Sequence, residues 1–195
     1  MGLALGYLLN PEVNVSGSKV ENVAGYPYCL GFEEVQQITK YHIKKPPYFL
    51  PGYSLQCAQA SPSDARLYYN KTKIDGNLSQ SEIIQRGGIL VSSSLINETM
   101  DPANRQGNIT DSMIKDHEQM GPEFSSLSTI NGNIALLKEM CDSCVNFTAG
   151  YPDGSNISIG VPSPSRVTFY DGDVVYSLEG YIPSIHLEQI AKSME

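Results

Sequence analysis

Four cysteines are the side chains of this 195-residue chain with the greatest capacity for chemistry. Cys141 and Cys144 have the Cys-x-x-Cys spacing of thiol–disulfide proteins, in which a helix N-terminus lowers the pKa of the attacking thiol. Residues 145–149 instead alternate apolar and polar side chains, as a strand does, so a structural bridge is favoured over redox chemistry. A four-thiolate zinc site is a weaker alternative, because Cys29 and Cys57 lack that spacing. All four cysteines are disulfide candidates, and three pairings are open.

The other reactive side chains form no recognisable catalytic or metal-binding pattern. None of the three histidines has a partner at a metal-ligand spacing such as His-Glu-x-x-His. These histidines are His42, His117 and His186. Asp171 and Asp173 flank a glycine as in a calcium loop, but the rest of the acidic ligand ladder is missing, and the serine run at 92–94 has no Gly-x-Ser-x-Gly setting. We therefore predict no catalytic residue, no metal site and no cofactor, in a protein that is not an enzyme.

Seven asparagines stand two places before a Ser or Thr with no proline between, which is the acceptor pattern for N-linked glycans. Chance would produce roughly two such triplets. Because a glycan needs a solvent-facing Asn on an exported chain, the excess predicts an extracytoplasmic protein, secreted or on the cell surface. The alternative is a surface rich in Ser and Asn that meets the pattern by composition. The N-glycosylation candidates are Asn14, Asn70, Asn77, Asn97, Asn108, Asn146 and Asn156.

The charge of the chain excludes two classes of partner. Its formal net charge is -8 and its pI is about 4.8. Affinity for nucleic acid comes mainly from Lys and Arg that displace counterions, and anionic lipid headgroups attract basic surfaces. We therefore predict no nucleic-acid partner and no docking on anionic headgroups.

Residues 1–28 are expected to be an N-terminal arm or the remnant of a membrane anchor. The apolar run at 3–9 stops at Asn10-Pro11, short of the roughly 20 residues of a membrane span, and it lacks the basic flank of a signal peptide. A first strand and the tail of a membrane tether are both open, and the tether is preferred because an exported domain needs an export signal. Residues 29–195 are predicted to form one domain, since this length suits one core.

Hydrophobic periodicity then predicts the elements that would position any site. Helical patterns lie at 32–42, 81–85, 184–194, and from Thr110 or Asp111 to Met120; strand patterns lie at 54–59, 65–69 and 89–94. The polar segment 97–107 is predicted to be a surface loop. In the last helix Ser184 is the expected N-cap, and an apolar stripe is expected to dock on a sheet. That stripe is Leu187, Ile190, Ala191 and Met194.

Three turns rich in Gly, Asn and Asp predict β-hairpins in the second half of the chain. In each hairpin we choose the register that sets apolar side chains on one face. The predicted turns are 131–132, 171–172 and a three-residue loop at 153–155. The corresponding opposite pairs are Thr129 with Ile134, Phe169 with Val174, and Ala149 with Ile159.

Short motifs between Cys29 and Met194 resemble a family of domains of unknown function on the extracytoplasmic parts of membrane-anchored prokaryotic proteins. The run Phe49-Leu50-Pro51-Gly52-Tyr53 is similar to its "LPxGY" segment without the usual spacer before Gly. The stretch Tyr176 to Gly180, followed by Leu187 to Met194, resembles its closing hairpin and "IAxSM"-type helix, and Ile130-Asn131-Gly132 its internal hairpin. The cysteines, the acceptor triplets and the segment 97–121 depart from the family pattern.

That family is similar to the periplasmic RseB/MucB and LolA/LolB lipoprotein-handling proteins. The resemblance implies an α+β fold in which a strongly curved antiparallel sheet, an open half-barrel, carries helices on its concave face. It also implies a binding or sensing module, and it transfers no ligand residues because the shared motifs are structural.

Residues and resemblance together predict a non-enzymatic extracytoplasmic domain that binds a lipid-like or apolar ligand, or a protein partner. Two alternatives stay open at this point. One is a thiol–disulfide redox protein that uses Cys141 and Cys144, and the other is a glycosylated structural surface module.

Overall fold

A computed structural model describes residues 29–74, 79–96, 102–150 and 156–194, with side chains omitted at 102–106, 108, 143–150 and 156–161. The predicted N-terminal arm at 1–28 lies outside the described residues. The helices are α1 (Phe32–Ile38), α2 (Gln80–Gln85), α3 (Pro102–Met120) and α4 (Ser184–Lys192). The strands are β1 (Ser54–Ala60), β2 (Asp64–Asn70), β3 (Ile89–Leu95), β4 (Ser125–Ile130), β5 (Asn133–Lys138), β6 (Cys141–Gly150), β7 (Asn156–Ser163), β8 (Ser165–Asp171) and β9 (Val174–Gly180).

The fold is α+β, and its centre is a seven-stranded sheet in the order β1-β2-β3-β9-β8-β5-β4. Every neighbouring pair in this sheet is antiparallel, as predicted. The sheet is open, with β1 and β4 at its two edges. Strands β6 and β7 form a separate two-stranded hairpin.

One side of the sheet, which we call the strap face, holds the main core. A row of directly opposed apolar residues crosses six strands on this face, and all of its members are buried. The row is Ala58, Leu67, Val91, Leu178, Val167 and Leu137. Helices α1 and α4 pack against it through Val35 and through the predicted stripe of α4, whose four residues are fully buried. The prediction for the α4 stripe is confirmed.

An irregular segment at 39–53, the strap, completes the cover of this face. The Tyr41 hydroxyl donates to the Ser93 carbonyl at 2.8 Å, and the Phe49 ring stacks on Tyr69 with 4.0 Å between centroids. The Tyr176 hydroxyl accepts from the Lys44 N–H at 3.3 Å. These tyrosines hold the strap on the sheet, which leaves the strap face filled.

Helices α2 and α3 pack on the opposite side of the sheet, which we call the groove face. Ile83 and Ile84 of α2 join a cluster with Tyr68 and Leu90 at one end. Met113 of α3 joins a second cluster with Leu136 and Tyr170 at the other end. The expectation that the helices share one face therefore differs from the structure, which puts two helices on each side.

Boundaries of three helices differ from the prediction. In α4 the N-cap is Pro183 instead of Ser184, and the helix ends at Lys192, before Met194. The surface loop predicted at 97–107 is helical from Pro102, because proline is favoured in the first turn, where its missing N–H costs no hydrogen bond. Helix α3 does end before Gly121, as predicted. Helix α1 ends at Ile38 instead of His42, and the chain then becomes extended at Thr39.

The hairpin predictions are also confirmed in part and wrong in part. The Asn131-Gly132 turn and its Thr129–Ile134 pair are confirmed. In the β8–β9 hairpin Phe169 lies opposite Tyr176, because Asp171 pairs with Val174 and the turn moves on to 172–173. The predicted turn at 171–172 is therefore wrong by one residue at each end, although the apolar face is kept.

The β6–β7 hairpin was predicted with too short a loop. Ala149 lies opposite Ile157 and Gly150 opposite Asn156, so the connection spans 151–155, which lies outside the described residues. The pairing still sets Phe147 opposite Ile159. The observed and the predicted registers differ by two residues, so both set the same apolar residues on one face, and the pattern of apolar residues could not distinguish them. In the described part of the chain, no helix is both long and apolar enough to cross a membrane.

Candidate functional site

A groove of about 500 Å³ lies between α3 and the groove face. Its apolar lining comes from Ile109, Met113 and Met120 of α3 and from Leu136 and Val175 of the sheet. Its polar lining is Ser112, Asp116, Gln119, Lys138, Arg166 and Thr168. An apolar cleft with a few polar side chains is the usual form of a site for a small molecule.

Helix α3 is held away from the centre of the sheet by contacts near its middle and at its C-terminus. Met113 is buried against Leu136 and Tyr170 at the β5 and β8 side. The Thr110 and Tyr170 hydroxyls lie 3.2 Å apart and share a hydrogen bond. Since the helix contacts chiefly β4 and β5, its other side leaves the groove open toward β8 and β9.

A serine–histidine contact occurs at the end of α3, but its geometry is structural. His117 Nδ1 and Ser125 Oγ are 2.8 Å apart, the spacing that an activated nucleophile would need. Ser125 is buried, and its hydroxyl also lies 3.1 Å from the Gly121 carbonyl oxygen. No described carboxylate bonds to the other ring nitrogen of His117. The contact therefore caps the C-terminus of α3, and the absence of a catalytic residue stays a prediction.

Cationic side chains meet at one end of the groove. Lys138 and Arg166 are directly opposite on neighbouring strands, an arrangement in which like charges repel. Arg166 is neutralised by Glu179, with 2.9 Å between Nη2 and Oε2. Asp116 of α3 also lines the groove, so the four charges sum to zero. This end of the groove is therefore polar, and its charges balance.

The groove continues past Arg166 into a polar cleft of about 270 Å³ over the centre of the groove face. Ser92, Ser94 and Ser177 line it together with Asp64. The Ser94 hydroxyl donates to Asp64 at 2.7 Å, and this bond with those from Ser63 and Ser61 lowers the pKa of the Asp64 carboxyl. The cleft therefore presents hydroxyls and a charged carboxylate beside the apolar groove.

Three of the four cysteines, Cys29, Cys57 and Cys141, are disulfide-bonded, and none of these three lines the groove. Cys29 and Cys57 form a disulfide with 5.0 Å between their Cα atoms, which fixes one of the three open pairings. Cys141 is also disulfide-bonded and is the first residue of β6, not of a helix. The side chain of Cys144 is outside the described part. The helix N-terminus that would activate a thiol is thus missing at Cys141, while the favoured structural role fits.

One glycosylation candidate can be examined in detail. Asn70 ends β2, is 8 % exposed, and accepts a hydrogen bond from the Lys71 N–H at 2.7 Å. Asn108 lies in α3, Asn146 in β6 and Asn156 in β7, without described side chains. The remaining candidates, Asn14, Asn77 and Asn97, lie outside the described residues. The use of these acceptor sites stays a prediction.

Where side chains are described, the histidines and acidic residues do not come together at one place. His42 is exposed on the strap, and His186 belongs to α4. Among the residues with described side chains, no three of His, Cys, Asp or Glu come together as a metal site.

Comparisons of the chain with protein-family models, with curated proteins and with solved structures found no match. The resemblance to the RseB/MucB and LolA/LolB proteins therefore stays a prediction, and function is inferred from the groove itself.

Sequence reasoning missed the sheet side of the groove. The predicted helix that ends at Met120 includes Met113, but Arg166, Lys138 and Val175 were not connected with that helix. These three lie on three different strands, so only the strand order brings them together. The available signal was the alternation in β8, where Arg166 and Thr168 occupy the face opposite Val167 and Phe169.

Proposed function

We propose that this protein is a non-enzymatic extracytoplasmic binding module whose groove takes an apolar or lipid-like ligand. The observation that carries the proposal is the groove between α3 and the sheet, with five apolar side chains around about 500 Å³. Ligand pockets commonly have volumes of about 300–1,000 Å³.

Binding would be driven by removal of apolar ligand surface from water, at roughly 25 cal/mol per Å². Met113 and Met120 suit this role because an unbranched, polarisable side chain adapts to ligands of different shape. The polar groups at Lys138, Asp116 and Arg166 would orient a ligand's polar end, since they line the groove together with its apolar side chains.

The proposal places the ligand on a different face from the one that the resemblance implies. In a curved half-barrel with a helix-covered concavity, the ligand would lie under α1 and α4. The strap and α4 fill that side with fully buried side chains, including Phe169, Leu178 and Leu187. A sheet that curves as an open half-barrel remains part of the proposal, with the ligand under α3.

An oxidising location outside the cytosol is supported by the Cys29–Cys57 bond, since disulfides persist chiefly in such compartments. The seven acceptor triplets support the same location. A membrane tether in 1–28 remains part of the proposal. A redox function gains no support, because Cys141 begins a strand.

The proposal is tested by a substitution whose larger side chain fills the groove. Val175 projects from β9 into it, so Val175→Trp should occupy ligand volume while keeping a good strand former. The matched control is Ser92→Trp, on the same sheet face but in the polar cleft. The probe is dansylaminoundecanoic acid, an acyl chain with a fluorophore that brightens on leaving water.

We expect saturable binding to the wild type, a dissociation constant at least about tenfold weaker for Val175→Trp, and little change for Ser92→Trp. Equal weakening in both variants would place the ligand elsewhere. No saturable binding by the wild type would remove the proposal and favour the glycosylated structural module.

A further inference from the structure

Strand β4 is an edge whose outer side pairs with no described residue. The Asn131-Gly132 turn, with both φ angles positive, makes Ile130 and Asn133 a hydrogen-bonded pair. Hydrogen-bonded and non-hydrogen-bonded positions alternate along an antiparallel pair. The backbone N–H and C=O groups of Ser125, Leu127 and Thr129 therefore point away from β5. The Ser125 N–H bonds to the Gly121 carbonyl at 3.2 Å, while those of Leu127 and Thr129 have no described partner.

By contrast, the opposite edge of the sheet, β1, is protected from pairing with another strand. Its register shifts at a bulge between Leu55 and Cys57. The Leu30 N–H bonds to the Ala58 carbonyl at 2.9 Å, and the Cys29–Cys57 disulfide fixes that segment to the edge. Bulges and covering segments are the usual devices against edge-to-edge pairing, and β4 has neither among the described residues.

The side chains of β4 also lack the usual protection. Its sequence, Ser-Ser-Leu-Ser-Thr-Ile, contains no charged residue and no proline. Leu127 is 39 % exposed, and Phe124, just before the strand, is 42 % exposed. Large exposed apolar side chains beside an unpaired, uncharged edge are typical of a site for strand addition.

The strand is complementary to itself. An antiparallel pair of two copies must keep opposite residues on the same face of the joined sheet. A two-fold axis at Leu127 does this: it sets Leu127 against Leu127, Ser126 against Ser128, and Ser125 against Thr129. The same register lets the two Leu127 residues exchange both of their outward backbone hydrogen bonds. No like charges meet, and the exposed leucines cover each other.

From these observations we propose that β4 is a homodimer interface, through which two copies of this chain join their sheets across a two-fold axis at Leu127. Such an isologous contact uses the same patch on both copies and closes without further growth. Phe124 would add apolar area beside the strand pair.

The test uses two lysine substitutions at equally exposed apolar positions. Leu127→Lys sets two ammonium groups against each other at the axis, whereas Ile38→Lys changes a 40 % exposed residue at the end of α1, beside the opposite edge. Sedimentation equilibrium over a wide concentration range measures the dimer dissociation constant. We expect about 100-fold or greater weakening for Leu127→Lys, and no change for Ile38→Lys.

Amide hydrogen exchange of the wild type separates this interface from others. The Leu127 and Thr129 amides should gain protection as the concentration rises, while the Ser126 and Ser128 amides, bonded to β5, stay protected throughout. A wild type that is monomeric at every concentration overturns the proposal. So does a dimer that Leu127→Lys leaves intact, or protection of Leu127 and Thr129 that is independent of concentration, which would mean that another segment of the same chain covers the edge.

Discussion

Glu188 is a carboxylate on α4 that remains charged although it is only 6 % exposed. Lys192 Nζ lies 2.7 Å from its Oε1, one turn along the helix, and the Ser128 hydroxyl donates to the same oxygen. Burial raises the pKa of Glu188, but the bonds from Lys192 and Ser128 together lower it below its ordinary value. These contacts tie α4 to β4, so the charge contributes to docking of the helix.

The lowered pKa predicts a pH-dependent contribution to stability. A carboxylate with a depressed folded-state pKa stabilises the fold above its unfolded pKa of about 4.3, and this contribution is lost as the pH falls through the folded value. At pH 7, Glu188→Gln should lower the free energy of unfolding by about 1–2 kcal/mol, because hydrogen bonds to a charged group are lost. The difference from the wild type should shrink below about pH 4.

Urea unfolding at several pH values measures this effect. The control is Glu118→Gln, an exposed glutamate of α3, which should have no effect at any pH. An equal loss of stability for Glu188→Gln at pH 7 and at pH 3 would show that shape, not charge, is what Glu188 contributes.

At the scale of elements, the turns fix which face each strand presents. Asn131 and Gly132 have φ angles of 51° and 79°, both in the left-handed region, which gives the twist that a two-residue hairpin needs. This turn sets the β4–β5 register and hence puts Leu136 in the groove and Leu137 in the core. A shift by one residue would exchange them.

The conformational role of glycine predicts opposite effects for one substitution at two positions. A Cβ at Gly132 meets nothing within 4 Å, so Gly132→Ala should cost about 1 kcal/mol from backbone strain alone. A Cβ at Gly107 also meets nothing, but this exposed residue lies within α3, so Gly107→Ala should stabilise by about 0.5–1 kcal/mol. Chemical denaturation of both variants measures the signs, and equal signs would contradict the assignment of one of the two elements.

At the scale of the whole molecule, the Cys29–Cys57 bond connects the start of the described chain to the β1 edge. It spans 28 residues and is reinforced by the Leu30–Ala58 bridge. A cross-link across such a loop restricts the unfolded chain. The bond therefore stabilises the fold and keeps β1 covered, whereas no segment of the described chain covers β4.

Loss of this bond should be measurable in two ways. Cys29→Ala with Cys57→Ala should lower the free energy of unfolding by about 3–4 kcal/mol, from the loop-closure entropy of the unfolded state. The same variant should speed hydrogen exchange at the Leu30 amide, which bonds to Ala58. Unchanged stability, with unchanged exchange, would show that packing alone holds this segment.

Most secondary structure could be predicted from the sequence because it follows from local patterns. Alternating apolar residues and turn residues predicted strands β1, β2 and β3 and helix α2. Helix α2 begins with the capping box of Ser79 and Glu82. The errors occurred where two local readings were equally good. Pro102 can end a loop or begin a helix, and the Asp171-Gly172-Asp173 run allows turns one residue apart.

The site could be predicted only in part. The C-terminal half of α3, with Met113 and Met120, lies within a predicted helix, because helical spacing is a local property. Its partners Leu136 and Val175 were not predicted, since their strands are far apart in the chain and meet through β8. Pairing of distant strands depends on the packing of the whole sheet, which no single segment encodes.

The amino-acid sequence by itself determined the Asn131-Gly132 hairpin, the docking stripe of α4 and the acidic charge, because each depends on residues close together or on composition. Only the tertiary structure decided that the strap fills one face, that α3 leaves a groove on the other, and that no described segment pairs with the outer edge of β4. The physical reason is that the apolar side chains of a strand show that the strand will be buried. Which residues it packs against depends on the order of the strands and on where the helices dock.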